Sequence, residues 1–237
     1  MKISTGSAEL DAWLDGGYES DIITTFYGAA GSGKTNLCLL AAVEQAKQGR
    51  KVIFIDTEGS FSIDRIKQLA EQKEVEKNIL LLKATKFYEQ HESFNKLLDL
   101  LKKDVGLIIV DSIVMLYRLE LSQARSSKDE EKIYTVNRTL ARQLRILSEI
   151  ARKKNIPVIV TDQVYSDFIN NNSEAKEKKV HMVGGDILKY WSKCIIELQR
   201  DGSRRRAILR KHRSLPEKEF VFTINDKGIS KGGFRLF

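Results

Sequence analysis

Apolar residues along this chain fall into two rhythms. Short, nearly unbroken runs at Ile22–Tyr27, Val52–Asp56, Ile79–Lys83, Leu107–Asp111 and Val158–Asp162 predict strands buried on both faces. Between them lie amphipathic stretches that predict helices at Thr35–Gln48, Ile63–Gln72, Ser93–Lys103 and Lys132–Lys154. Gly49 sits where the first of these should stop, and the last carries Leu140, Leu144, Leu147 and Ala151 on one stripe. Strands alternating with helices in this way predict a mostly parallel sheet covered on both faces. After Gly184 the rhythm changes to strand-like segments at Cys194–Leu198, Arg206–Lys211 and Phe220–Ile224, with Asp201-Gly202 as a hairpin-turn signal. The expected fold is therefore α/β, ending in an antiparallel extension. Asp167–Lys179 has no apolar period and reads as a loop leaving the Val158–Asp162 strand.

Composition narrows the class. At 237 residues with 42% hydrophobic and 30% charged residues, the chain can bury a substantial core, and residues 1–237 are read as one domain. Its longest apolar runs fall far short of the ~20 residues of a transmembrane helix. Cys38 and Cys194 are too few for a disulfide framework, which fits a reducing cytoplasm. The net charge of +8 is uneven: from Arg200 onward there are 11 basic and 4 acidic residues, leaving 29 and 28 before it. Such a block, densest at Arg204, Arg205, Arg206, Arg210, Lys211 and Arg213, suits phosphate as well as water.

The strongest chemical signal is Gly28-Ala29-Ala30-Gly31-Ser32-Gly33-Lys34-Thr35, a strand–loop–helix match to the G-x-x-x-x-G-K-[ST] phosphate loop. Its glycines let successive N–H groups point at phosphate oxygens, and the following helix adds its positive end. Lys34 is placed to meet the outer phosphates, and the Thr35 hydroxyl to ligate Mg²⁺. Asn36 adjoins Thr35 and completes the expected nucleotide contacts. Asp111 ends an apolar strand at the carboxyl edge of the sheet and is expected behind the metal. Asp56-Thr57-Glu58-Gly59 brings a second acid pair to that edge, with Glu58 the candidate for polarising the attacking water and Asp56 a supporting group. His91, His181 and His212 have no partners at metal-ligand spacing, and Cys38 reads as a small core residue.

Taken together, these segments resemble the RecA-type recombinase superfamily, most closely its small archaeal paralogues. Besides the phosphate loop, the match is carried by Ile3–Ser7 with Leu10-Asp11 and Gly16-Gly17, by Phe54–Phe61 followed by Arg65, and by Leu107–Ser112. Val160–Val164, Val183–Asp186 and Leu215–Glu217 extend it to the later part of the chain. The resemblance implies a RecA-like ATPase core binding ATP and Mg²⁺, with Arg65 and Pro216 flanking the adenine. It implies that Gln163 senses γ-phosphate and couples it to a DNA-contacting loop over Tyr165–Val183. It also implies a second DNA loop over Tyr117–Lys132, holding Arg125 and Lys128.

Measured against that family, the chain starts at the ATPase core, so neither a helical N-terminal DNA-binding domain nor the linker motif for docking neighbours is expected. Autonomous long filaments are then not expected, while a homo-oligomer stays open. Lys211-His212-Arg213 stands where related ATPases place basic residues that reach a neighbour's γ-phosphate, so Lys211 and Arg213 are candidates for a role in trans. Both loops are near neutral, since Lys176, Lys178 and Lys179 are balanced by Asp167, Glu174 and Glu177. Weak, salt-sensitive binding of single-stranded DNA is expected, helped by Arg204–Arg206 and by stacking on Tyr165 and Phe168. The leading expectation is a recombination accessory protein that assists the main recombinase of the cell, with slow or partner-dependent ATP hydrolysis. The alternative is a clock-like signalling ATPase acting as a ring without DNA. A nucleotide kinase is a third class, but no acceptor pocket is identifiable for it.

Overall fold

A computed structural model describes all residues except 71–73, 102–103, 167–179 and 233–237. The chain opens with β1 (Lys2–Ile3), α1 (Ala8–Trp13) and β2 (Tyr18–Glu19), where β1 and β2 form a small antiparallel pair. The main sheet then alternates with helices: β3 (Ile23–Gly28), α2 (Lys34–Lys47), β4 (Lys51–Asp56), α3 (Ile63–Ala70), β5 (Ile79–Lys83), α4 (Phe87–Leu100) and β6 (Val105–Asp111). Two helices follow, α5 (Met115–Ser126) and α6 (Glu130–Lys154), before β7 (Val158–Ser166), β8 (Val180–Met182) and α7 (Gly185–Trp191). β9 (Cys194–Asp201), β10 (Arg204–Lys211), β11 (Glu219–Asn225) and β12 (Gly228–Lys231) complete the sheet.

Strand order is β12-β11-β10-β9-β3-β7-β6-β4-β5, with β8 paired to β7. β9, β3, β7, β6, β4 and β5 run parallel, and β10 to β12 fold back antiparallel. The expected mostly parallel sheet with an antiparallel extension is what forms. β9 belongs to both parts, pairing parallel with β3 on one side and antiparallel with β10 on the other.

The unbroken apolar strands have the cause expected of them, since each face of the sheet is covered. Alternate residues such as Phe26, Phe54, Ile109 and Ile196 pack against α1, α2 and α3. Their neighbours Tyr27, Ile55, Ile108 and Ile195 pack against α4 to α7. Leu140, Leu144 and Leu147 of α6 are fully buried there, and truncating any of them to Ala costs about 2–5 kcal/mol.

Three expectations change. Tyr117–Lys132 is not a loop: Leu116, Tyr117, Leu121 and Ala124 are buried at helical spacing and define α5. The chain then turns through Lys128, at φ 54°, and Asp129 caps α6 by accepting from the Lys132 N–H at 2.9 Å. α4 begins six residues before Ser93, because the Glu89 carboxylate reaches back to the N–H groups of Thr85 and Lys86 and closes the first turn. β7 continues past Asp162 to Ser166 because β8 pairs with it. The expected loop Asp167–Lys179, with Phe168, Lys176, Lys178 and Lys179, lies outside the described residues. No described helix is long and apolar enough to cross a membrane.

Candidate functional site

Register places the chemistry. Gly28 pairs with Gln163 on β7 and with Leu198 on β9, while Asp56 pairs with Asp111, so these residues end their strands at one edge. Beyond Gly28 the chain curls into α2 through Gly33, which caps the helix at φ 106°, a left-handed conformation that only glycine adopts cheaply. Gly28 itself has no room for a side chain, since a Cβ there would stand 2.1 Å from the Leu198 carbonyl oxygen.

Inside the loop Lys34 is buried, donating from Nζ to the carbonyls of Gly28 (2.8 Å) and Ala29 (3.1 Å). Burial lowers its pKa, against the pull of Glu58, Asp111 and Asp162. One ammonium N–H is left for a further acceptor. The Ser32 hydroxyl is also buried, with no partner among the described residues. Thr35 donates to Asp111 Oδ2 at 2.7 Å, Ser60 donates to the same oxygen at 3.0 Å, and the Thr161 hydroxyl donates to Oδ1. Asp111 is thus an oriented carboxylate within a ring of hydroxyls.

Asp56 accepts from the backbone N–H groups of Glu58, Gly59, Ser60 and Phe61 at 2.9–3.2 Å, which folds the turn that aims Glu58. Its expected supporting role has this concrete form. Glu58 Oε1 then accepts from Gln163 Nε2 at 2.9 Å, joining β4 to β7 across the edge. Burial raises the Glu58 pKa, with Asp111 adding to the effect, while Gln163 and Lys34 oppose it.

The donor set fits a triphosphate with Mg²⁺. Loop N–H groups, the unpartnered Ser32 hydroxyl and the spare Lys34 donor suit phosphate oxygens. Thr35 and Asp111 could supply oxygen ligands to Mg²⁺, with phosphate and water supplying the others. Among the described residues no cluster of three His, Cys, Asp or Glu side chains could hold a metal. Cys38 is fully buried on α2, and burial pushes its thiol pKa well up.

Four residues near this edge escaped the sequence reading. Ser60 and Thr161 hold Asp111. Asp162 is fully buried, with Oδ1 unpartnered and Oδ2 accepting from the Gly184 N–H at 3.4 Å, and burial raises its pKa to about 7. Arg200 reaches the loop from β9: a Cβ on Gly31 would lie 3.3 Å from its Nη1. Its signal was register, two residues beyond the partner of Gly28.

A family model described as Rad51 matches residues 1–232. The chain belongs to the Rad51 family. Among curated relatives, the "DNA repair and recombination protein RadB" of Methanobrevibacter smithii is 41% identical over 236 residues, covering 96% of this chain and 95% of the relative. Proteins of the same name from Methanococcoides burtonii and Methanocaldococcus jannaschii are each 41% identical, over 93% and 91% of this chain and 93% and 96% of theirs. Rad51 membership accords with the RecA-like sheet and with the resemblance seen in the sequence.

The remaining expected positions are scattered. Arg65 lies near the loop, donating from Nε to Asn36 Oδ1 at 3.0 Å and from Nη2 to the Asn225 carbonyl at 2.7 Å. Pro216 is exposed between β10 and β11, at the amino edge, because β10 runs back with Lys211 opposite Ile195. Roughly a strand length, about 17 Å, separates that edge from the loop. Within one chain, Arg65 and Pro216 therefore do not face one another across a pocket.

Lys211 and Arg213 share the Pro216 edge. Lys211 donates to the Lys189 carbonyl at 2.6 Å, and Arg213 binds Asp21 bidentately at 2.7 Å and Glu19 at 2.7 Å. Arg125 lies in the last turn of α5 and Lys128 just beyond it. Arg204, Arg205 and Arg206 do not share a face, because strand pleat alternates them. Arg205 stands directly across from Arg200, and Arg206 pairs loosely with Glu219 at 3.7 Å.

Proposed function

We propose that this chain binds ATP with Mg²⁺ at the carboxyl edge of its sheet and acts as a recombinase paralogue in DNA repair and recombination. In this reading it binds single-stranded DNA weakly and salt-sensitively, and assists the main recombinase of its cell. The names of its relatives support the repair role. One observation carries the nucleotide reading: Lys34, the Thr35–Asp111 pair and the Glu58–Gln163 pair converge on one edge.

The residues would divide the work by charge and position. Loop N–H groups from Ala29 to Thr35 and the Lys34 ammonium would hold the phosphates, while Asn36 and Arg65 close the adjoining side. Thr35 and Asp111 would hold Mg²⁺, which when bound neutralises phosphate charge. Glu58, with Oε1 fixed by Gln163, keeps Oε2 free to accept a proton from water, and its raised pKa makes it a stronger base than an exposed glutamate. Gln163 sits between that base and the strand leading into residues 167–179, which suits a γ-phosphate sensor. Arg125, Lys128, Lys176, Lys178, Lys179 and Arg204–Arg206 are the DNA-contacting candidates of this reading.

Hydrolysis would be slow or dependent on a partner, because Lys211 and Arg213, the candidates for a role in trans, lie at the opposite edge of the sheet from the loop. A head-to-tail neighbour would bring its amino edge, with Lys211, Arg213 and Pro216, to this carboxyl edge. Lys211 has a single carbonyl partner, whereas Arg213 would first have to leave two carboxylates. That placement also favours the second reading, a signalling ring without DNA. Calorimetry with ATP·Mg²⁺, followed by turnover with and without single-stranded DNA and a recombinase, tests both. Absence of binding heat refutes the nucleotide reading, and turnover indifferent to DNA and recombinase, in a protein that sizes as a ring, favours the second.

A further inference from the structure

The outer face of α6 carries a stripe of cations that the site above does not use. Arg138, Arg142, Arg145 and Arg152 fall within about 80° of one another at 3.6 residues per turn, over roughly 21 Å of helix. All four are exposed. None donates a hydrogen bond among the described residues; Glu149, the one acid within this stretch, is engaged by Lys153 and also faces Arg145, while Arg138, Arg142 and Arg152 meet no carboxylate. Four like charges held in line, with a single acid shared between Arg145 and Lys153, form a polyanion site or a largely unrelieved repulsion.

Shape decides between these. Arg145 and Trp191 divide a channel with a cavity of about 610 Å³ on one side and about 470 Å³ on the other. Arg138 and Arg142 line the larger part, Arg152, Lys153 and Glu149 the smaller, and His91 in the larger part has a buried Nδ1 with no partner among the described residues. Trp191 is half-buried in the wall, with the exposed Tyr190 edge-on against it at 5.3 Å. A cationic groove with aromatic rings in its side is the arrangement that binds single strands, phosphates to the arginines and bases stacked on the rings.

We propose that this α6–α7 channel is a binding track for single-stranded nucleic acid, built from residues other than the DNA-contacting candidates named above. The inference rests on the reading above that the chain binds single-stranded DNA, and its length suits about six stacked nucleotides at ~3.4 Å each.

The test uses the full chain and a labelled oligothymidylate of about a dozen nucleotides, titrated between about 50 and 200 mM salt. Each phosphate contact on a single strand contributes about 0.7 to the slope of log affinity against log salt. Arg142→Ala with Arg145→Ala should flatten that slope by about 1.4, so that about sevenfold less affinity is lost over this fourfold salt range. ATP binding should not change. Trp13 and Trp191 are the two tryptophans, so Trp13→Phe leaves Trp191 alone to report, and its fluorescence should be quenched as the oligonucleotide stacks on it. An unchanged slope and affinity in the double variant, with DNA still bound, overturns the track and leaves DNA binding standing. Failure of the parent chain to bind in either nucleotide state overturns both. Binding of polyglutamate to the stripe without binding of oligothymidylate overturns the track in favour of an acidic protein partner.

Discussion

Asp162 offers the sharpest test of the site as a physical object, because it needs no ligand. Its carboxyl is buried at the edge that carries the phosphate-loop motif, with Oδ1 unpartnered, the Gly184 N–H at 3.4 Å from Oδ2, and the backbone of Gln163 and Val183 also favouring its charged form. Burial raises its pKa from 3.8 to about 7. The unfolded chain releases this proton near pH 4, whereas the folded chain holds it until about pH 7. Across that window the native state binds more protons, so this residue makes stability fall as pH rises, by at most ~1.4 kcal/mol per pH unit. A shift of this size corresponds to something on the order of 4 kcal/mol, lost between pH 4 and pH 7 and constant above. Asp162→Asn keeps an oxygen for Gly184 and cannot ionise. Urea denaturation of both proteins at intervals from pH 4 to pH 8 isolates the term, since every other titration cancels in the difference. The variant should gain on the parent steadily up to neutrality and then run parallel. Curves parallel over the whole range would show that Asp162 is solvated or paired, and the account of its burial would fail.

The other predictions concern the nucleotide reading. Lys34→Ala removes the buried ammonium, a partner worth at least one or two charge-assisted hydrogen bonds, and calorimetry should show ATP affinity reduced by roughly 100-fold or more. Glu58→Gln keeps an oxygen for Gln163 but cannot take a proton; binding should persist while phosphate release slows by about 10²-fold or more, and equal turnover would remove Glu58 from its role. Gly28→Ala forces a methyl against the Leu198 carbonyl and should cost about 1–3 kcal/mol in urea denaturation, with nucleotide binding lost as β9 shifts.

Much of this architecture could be read from the chain because the central strands are buried twice. Ile53, Phe54 and Ile55 face alternating sides yet are all apolar, since helices cover both sides, whereas a strand with one wet face would alternate with polar residues. The phosphate loop was legible on different grounds: its glycines are demanded by backbone geometry, as the carbonyl of Leu198 beside Gly28 makes plain. α5 was missed because its outward positions hold Arg118, Glu120, Gln123 and Arg125, whose polarity masks the buried spacing of Leu116, Leu121 and Ala124. A charged segment in the right place for a loop looks like one until its inward face is counted.

What sequence could not supply is which residues meet across the sheet. Ser60, Thr161 and Thr35 are separated by up to 126 positions, yet all three sit on the Asp111 carboxylate, because β3, β4, β6 and β7 end at one edge. The same register rule explains why Pro216 and Lys211 part company with the loop. One hairpin after β9 reverses the chain, and a reversal by one strand moves a residue from the carboxyl edge to the amino edge whatever its chemistry. A residue's type therefore shows what it could bind, while the parity of strand reversals between it and the loop decides whether one chain can bring it there. For Lys211, Arg213 and Pro216 that parity is odd, so any contact they make with a nucleotide must involve the edge of a second molecule.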